Sequence, residues 1–284
     1  MKTHPWISGR KVRVFFRMIF LAGGLFLMHP HQTFATDCDP NCKSQGWHSC
    51  HNMPPAYSIV KVSVHNVPKF IEYVMGHMPT VARCGGKFLA VTRGAPVQPE
   101  VIEKDLGLVL SSFDPAVPQV MVIHQWPCAK IFHKWYNSRA YAPWKALRHS
   151  ASNAEVILVE GLRGADTTDY YPPAFSAVDV NVLDQAVFSG EYVNVNDPSK
   201  GHFPTVEKFG GKFLIAGRKV ETIEGTWAPK FFVMHRFPSI EIWKLWYNSA
   251  DYAPWKAKRH SASKADVMLI QGLTETFKKE KHIP

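Results

Sequence analysis

The sequence has no acidic residue before Asp37, although Lys2, Arg10, Lys11, Arg13 and Arg17 precede it. No apolar run approaches the ~20 residues needed to span a bilayer as a helix. Asn-x-Ser/Thr is missing throughout, so N-glycosylation has no acceptor. Gly-x-Ser-x-Gly and His-Glu-x-x-His are missing too, which removes the commonest signatures of serine hydrolases and zinc proteases. Charged residues make up only 20% of the chain. The formal net charge of +10 owes half its size to the first 35 residues, beyond which 28 basic face 23 acidic side chains. A mild excess spread along the chain is no nucleic-acid footprint. With 46% hydrophobic residues, what remains is an ordinary globular chain, long enough for two domains.

The basic N-terminus leads into an uncharged run from Met18 to Met28, and Thr33-Phe34-Ala35 resembles a small-x-small cleavage site. This is the pattern of a secretory signal peptide over 1–35, with a retained signal anchor as the alternative. No later segment spans, so no stable membrane span is expected after cleavage. Export suits the cysteines: Cys38, Cys42 and Cys50 crowd a segment at 36–55, and Cys84 and Cys128 lie downstream. With His48 and His51 the cluster could suggest zinc, but its spacing fits no zinc pattern, and an oxidising compartment favours disulfides. No metal and no cofactor is expected.

The most informative feature is a duplication. Residues 130–152 and 241–263 share sixteen of 23 positions, including Trp-Tyr-Asn-Ser-x-x-Tyr-Ala-Pro-Trp-Lys-Ala and Arg-His-Ser-Ala-Ser. Upstream, Gly-Gly-Lys-Phe-Leu recurs at 85–89 and 210–214, and AYSIVKVSV at 56–64 matches AFSAVDVNV at 174–182. The chain divides into repeat 1 at 56–163, a linker at 164–173, repeat 2 at 174–274 and a tail at 275–284 that is expected to be solvated. Repeat 2 carries seven extra residues before its Gly-Gly, and repeat 1 an insert around 97–117.

Alternating and helical periodicities give each repeat the order β-α-β-β-α-β, the ferredoxin-like split pattern. In repeat 1 the strands fall at 57–64, 87–93, 120–126 and 155–161, with helices at 67–83 and 128–136; in repeat 2 a helical stretch is expected at 184–209. Gly85-Gly86 and Gly210-Gly211 follow helices and precede strands, so they read as helix stops and not as phosphate loops. Strand faces that are apolar on both sides must be buried on both sides. The fold expected is α+β: two tandem ferredoxin-like repeats packed sheet to sheet as an intramolecular pseudo-dimeric α+β barrel. A monomer with an internal pseudo-dimer is therefore expected ahead of a homodimer.

Gly-Gly-Lys-Phe-Leu, Trp-Tyr-Asn-Ser-x-x-Tyr, the following Arg and a last strand ending in Gly resemble the domain of unknown function 1330 family of the dimeric α+β barrel superfamily. The resemblance covers both repeats and implies the same barrel, normally built from two chains. It implies no reaction. Repeat 2 keeps the family-like Glu224-Gly225-x-Trp227-x-Pro229, which in repeat 1 is expected to be lost to the insert.

Tyr141, Trp144 and Arg148 fall on one helical face, as do Tyr252, Trp255 and Arg259. They suggest aromatic-walled ligand sites with a guanidinium for an anion; packing is the alternative, with Arg148 paired to Glu160 or to carbonyls at a helix end. Repeat 2 has the uncharged Gln271 at the matching place. His124 and His235 lie mid-strand, where they could serve as general bases and line one common cavity, the commoner alternative being a buried, satisfied histidine. Trp135 and Trp246 read as core anchors. The expected function is a secreted protein binding a small, partly apolar molecule between its sheets, with cofactor-free acid/base chemistry open to it. The alternative is a non-catalytic interaction protein with filled cavities.

Overall fold

The computed structural model describes residues 50–92, 99–107, 117–164, 172–274, 278–279 and 283. Repeat 1 begins with strand β1 (Ala56–Val64) and helix α1 (Val67–Arg83). Asn66 starts that helix, its Oδ1 accepting the Lys69 N–H at 3.3 Å, and Pro68 occupies the first turn, where its missing N–H costs nothing. At the far end Gly85 adopts φ +72°, a conformation that favours glycine. Gly86 then packs so closely on Trp126 and Val81 that an added Cβ would lie 2.7 Å from each. Strands β2 (Lys87–Val91), β3 (Glu100–Lys104) and β4 (Gln119–Trp126) follow, then α2 (Ala129–Tyr136), α3 (Ala142–His149) and β5 (Ser152–Glu160).

Repeat 2 runs through β6 (Ala174–Val182), α4 (Phe203–Lys208), β7 (Lys212–Gly217), β8 (Val220–Glu224), β9 (Phe232–Phe237), α5 (Ile240–Tyr247), α6 (Ala253–Ala262) and β10 (Ser263–Gln271). Where repeat 1 has the single helix α1, repeat 2 has a π-helical turn at Ala186–Val193, Asn194 at φ +51°, a 3₁₀ turn at Pro198–Lys200 and only then α4. The extra residues thus break the continuous helix expected at 184–209.

Each repeat supplies the four expected strands, with all pairings antiparallel, and each supplies a fifth that the four-strand pattern does not contain. The sheets are ordered β2-β4-β1-β5-β8 and β3-β10-β6-β9-β7. β8 belongs to repeat 2 but pairs with β5 of repeat 1, and β3 belongs to repeat 1 but pairs with β10 of repeat 2. The insert of repeat 1 therefore has not erased a structural element. It supplies β3, the counterpart of β8, and the two repeats exchange these arms.

The exchange is pinned beyond the strands. Glu155 on β5 accepts the Thr226 and Trp227 N–H groups at 2.7 and 2.8 Å, while Asp266 on β10 accepts those of Leu106 and Gly107 at 2.8 and 3.2 Å. The sheets meet through Tyr57, Ile59, Met121, Ile123, Ile157 and Val159 on one side and Phe175, Met234, Met268 and Ile270 on the other, all buried. Leu162 N–H to the Leu214 carbonyl and Leu273 N–H to the Leu89 carbonyl, both 2.8 Å, stitch the edges between repeats. The protein is a pseudo-dimeric α+β barrel within one chain.

Cys50 forms a disulfide with Cys128 across 78 residues, Cα to Cα 5.8 Å, and so ties the N-terminal head to the start of α2. The bridge reaches outside the early cluster, and Cys84 is disulfide-bonded as well. Cys38, Cys42, His48 and the leader lie outside the described residues. Among those described, no helix is long and apolar enough to cross a membrane, and no cluster of three metal-ligating side chains occurs.

Candidate functional site: two cavities between sheet and helices

Strand alternation sends Met121 and Ile123 into the space between the sheets and Val122 and His124 toward the helices. Large buried side chains occupy the inter-sheet space. The cavities lie instead between each sheet and its own helices, one of about 80 Å³ in repeat 1 and one of about 60 Å³ in repeat 2. On the scale where one water needs ~10–15 Å³, the first takes roughly five to eight water-sized groups. His124 lines the first and His235 the second, so the two do not share a cavity.

β4 pairs with β1 so that His124 stands opposite Ser58. The Ser58 hydroxyl meets His124 Nδ1 at 3.0 Å and accepts the Trp126 indole N–H at 3.0 Å. His124 Nε2 is buried and has no partner among the described residues. Burial, aided by nearby His77, pushes the His124 imidazole down to about 3. One helical turn apart on α1, His77 stacks on the Tyr73 ring at 4.2 Å and hydrogen-bonds through Nδ1 to the Tyr73 carbonyl at 3.0 Å. Burial lowers it to about 4 despite that hydrogen bond. The Tyr73 and Tyr141 hydroxyls lie 3.4 Å apart.

Arg148 closes the wall. Its Nη2 hydrogen-bonds to Glu224, to which the Tyr136 hydroxyl also donates, while its Nη1 is buried with no partner among the described residues. Burial would raise the Glu224 carboxyl, but the Arg148 and Tyr136 hydrogen bonds and the Arg148 charge together hold it below its ordinary value. Glu224 comes from the exchanged strand β8, so the site of repeat 1 is completed by repeat 2.

Repeat 2 reproduces these parts except the indole donor, since Phe237 stands where repeat 1 has Trp126. Ser176 meets His235 Nδ1 at 2.8 Å, His202 Nδ1 meets the Tyr192 carbonyl at 2.9 Å with the rings stacked at 4.0 Å, and the Tyr192 and Tyr252 hydroxyls are 3.2 Å apart. Arg259 and Tyr247 hydrogen-bond to Glu103, delivered by β3 from repeat 1. His235 and His202 are lowered by burial to about 3 and about 4. Tyr73 and His77 are four residues apart, Tyr192 and His202 ten. The broken helix of repeat 2 loops out and still brings its pair to the same geometry.

Several expectations are thereby corrected. Arg148 does not pair with Glu160, which is part-exposed on β5 and bound to Lys219 at 3.1 Å. The missing charge at Gln271 is immaterial, because Arg259 takes Glu103. Tyr141, Arg148, Tyr252 and Arg259 line the cavities, but Trp144 and Trp255 do not. Trp144 instead lies over Gly76 of α1, where a Cβ would stand 2.1 Å from its ring. Trp135 and Trp246 line the cavities while anchoring the helices, their indole N–H groups bonded to Thr80 and Thr205. The tail is not wholly solvated: Lys278 and Ile283 are buried, and Ile283 lines the cavity of repeat 1. Sequence reasoning missed Ser58, Tyr73, His77, Glu103 and their counterparts. Aligning the two Tyr–His pairs across their six-residue difference in spacing would have been the signal.

The sequence model of the domain of unknown function DUF1330 matches residues 55–162 and again 173–273. The chain belongs to the DUF1330 family. It carries two tandem DUF1330 units, and the exchanged glutamates join them. No curated protein matches the chain. Among solved structures, it is similar to a monooxygenase-like protein of Lactobacillus acidophilus NCFM, with 9% identity and TM-score 0.45 over 78% of this chain and 98% of that one. A chlorite dismutase variant from Candidatus Nitrospira defluvii gives 8% and 0.44 over 81% and 97%. An anthrone oxidase-like protein gives 10% and 0.42 over 77% and 91%. None of these lends this DUF1330 protein an activity.

Proposed function

We propose that this tandem DUF1330 protein is exported and binds one small, largely apolar, oxygen-bearing molecule in each sheet–helix cavity, without a cofactor. The observation that carries the reading is the duplicated set of buried polar atoms that face apolar walls with no partner among the described residues: His124 Nε2 and Arg148 Nη1 in one repeat, His235 Nε2 and Arg259 Nη1 in the other. A core selected only for packing has no reason to keep such atoms unsatisfied twice. The basic leader and the Cys50–Cys128 bridge support export. Native mass spectrometry of the full chain, produced through an oxidising secretory pathway, tests this reading. A monomer lacking its first 35 residues and carrying up to two small molecules is expected. A protein that retains nothing and takes up no small carbonyl or phenolic compound at either cavity would instead favour an interaction protein.

A further inference from the structure

The hydrogen-bond partners assign the tautomers of the cavity histidines. A carbonyl oxygen can only accept, so the proton of neutral His77 sits on Nδ1, facing Tyr73, and Nε2 keeps its lone pair. His124 is the reverse. Ser58 Oγ already accepts the Trp126 N–H, and among the described residues its only other partner is His124 Nδ1. A proton on Nδ1 would aim two donors at Oγ and leave the buried serine hydrogen with no acceptor. Ser58 therefore donates to Nδ1, and the proton of His124 sits on the unpartnered Nε2. A lone pair and an N–H donor thus line the same apolar cavity, both rings packed on Phe88 with centroids 5.8 and 4.4 Å away. His202 and His235 pack alike on Phe213, at 5.5 and 4.4 Å. Phe237 stands there in place of Trp126, so Ser176 receives no indole N–H; among the described residues its hydroxyl hydrogen has only His235 Nδ1 to bond, which again leaves the ring proton on Nε2. The arrangement survives the broken helix that carries His202.

Resting on the ligand-site reading above, we propose that each cavity isomerises a small unsaturated ketone by proton transfer, with His77 or His202 as general base and His124 or His235 as hydrogen-bond donor to the carbonyl oxygen. The base lone pair takes a proton from the carbon between the carbonyl and the double bond. The C–H electron pair shifts into the carbon chain and the carbonyl pair moves onto oxygen, held by the donor N–H. The pair then returns, the γ-carbon takes the proton back from the base, and the double bond ends conjugated. Nothing is oxidised or reduced. Burial keeps all four rings neutral at neutral pH, as the two roles require. A weak base suffices where preorganised donors hold the developing oxyanion away from water.

The test uses cyclohex-3-enone as substrate and cyclohex-2-enone as product probe, with the full chain. Imidazole ¹⁵N spectra are expected to show Nδ1–H for His77 and His202 and Nε2–H for His124 and His235; the opposite assignment in either pair overturns the proposal. Conversion of cyclohex-3-enone is expected to fall at least 100-fold in kcat in His77→Gln/His202→Gln, with cyclohex-2-enone affinity within threefold. Ser58→Ala/Ser176→Ala, which leaves the bases in place, is expected to lower kcat about tenfold and serves if the first variant does not fold. Binding of cyclohex-2-enone in the cavities without turnover would sink the base assignment and leave the ligand sites standing. Failure of cyclohex-2-enone to bind would overturn the ketone as ligand class.

Discussion

At the scale of single residues, the glutamates on the exchanged strands carry the most consequence. Arg148 and Glu224 form a largely buried pair in which Tyr136 also donates to Glu224, so Glu224→Ala strands a cation inside the protein. A loss of about 2–4 kcal/mol is expected by denaturant titration with disulfides intact, and a similar loss for Glu103→Ala. Glu160→Ala should stay within about 0.5 kcal/mol, because its Lys219 partner is 83% exposed and such pairs contribute little. Stability should also depend on pH through the cavity histidines. His77 and His202 at about 4, and His124 and His235 at about 3, lie below the ordinary 6.5, so between these limits the unfolded chain binds protons that the folded chain refuses. Stability must then fall as pH drops below 6.5, by about 1.4 kcal/mol per unit for each histidine. Asp179, raised by burial to about 6, works in the opposite direction and offsets about one of the four below that pH. Thermal melts from pH 7.5 to 5 should show a steep decline that His77→Phe makes shallower; a flat profile would mean that the rings are not buried as neutral groups.

At the scale of elements, the Cys50–Cys128 bridge and Ile283 of the tail act on repeat 1. The bridge closes a loop of 78 residues, and Cys128→Ser is expected to cost about 2–4 kcal/mol, read from the shift in denaturation midpoint. Ile283 stands at the cavity of repeat 1, and no tail residue lines that of repeat 2 among the described residues. Ile283→Ala should therefore change probe affinity at His124 and leave it unchanged at His235, which site-resolved NMR titration distinguishes. The broken helix of repeat 2 shows what an insertion can and cannot alter. Helix continuity was lost, while the stacking of Tyr192 on His202 and the ring-to-carbonyl bond were kept.

At the scale of the whole molecule, the exchange of β3 and β8 makes each repeat incomplete without the other. A separated repeat would expose the apolar inter-sheet face and the edge of β5 or β10, along with an arginine lacking its glutamate. Expressed singly, either repeat is expected to dimerise or aggregate. Co-expressed as separate chains, the two should recover a one-to-one complex by size-exclusion chromatography with light scattering. Two independent stable monomers would contradict the interlocked core.

Much of this architecture is legible in the amino-acid sequence by itself. Duplication and strand alternation determine the two β-α-β-β-α-β units, because side-chain period and repeated motifs are local properties. Two-faced apolar strands require that the sheets bury one another, which is a matter of solvation alone. Tyr141 and Arg148 could be placed in a candidate site because the spacing of a helix puts them on one face. Tertiary structure alone decided the rest. That Arg148 meets Glu224 and not Glu160, and that Glu103 does the same for Arg259, follows from strand exchange, which joins residues 76 and 156 positions apart. The cavities fall beneath the helices because large side chains fill the space between the sheets. His77 and His202 gain their meaning only there, where burial removes their charge and one backbone carbonyl selects which nitrogen keeps the proton.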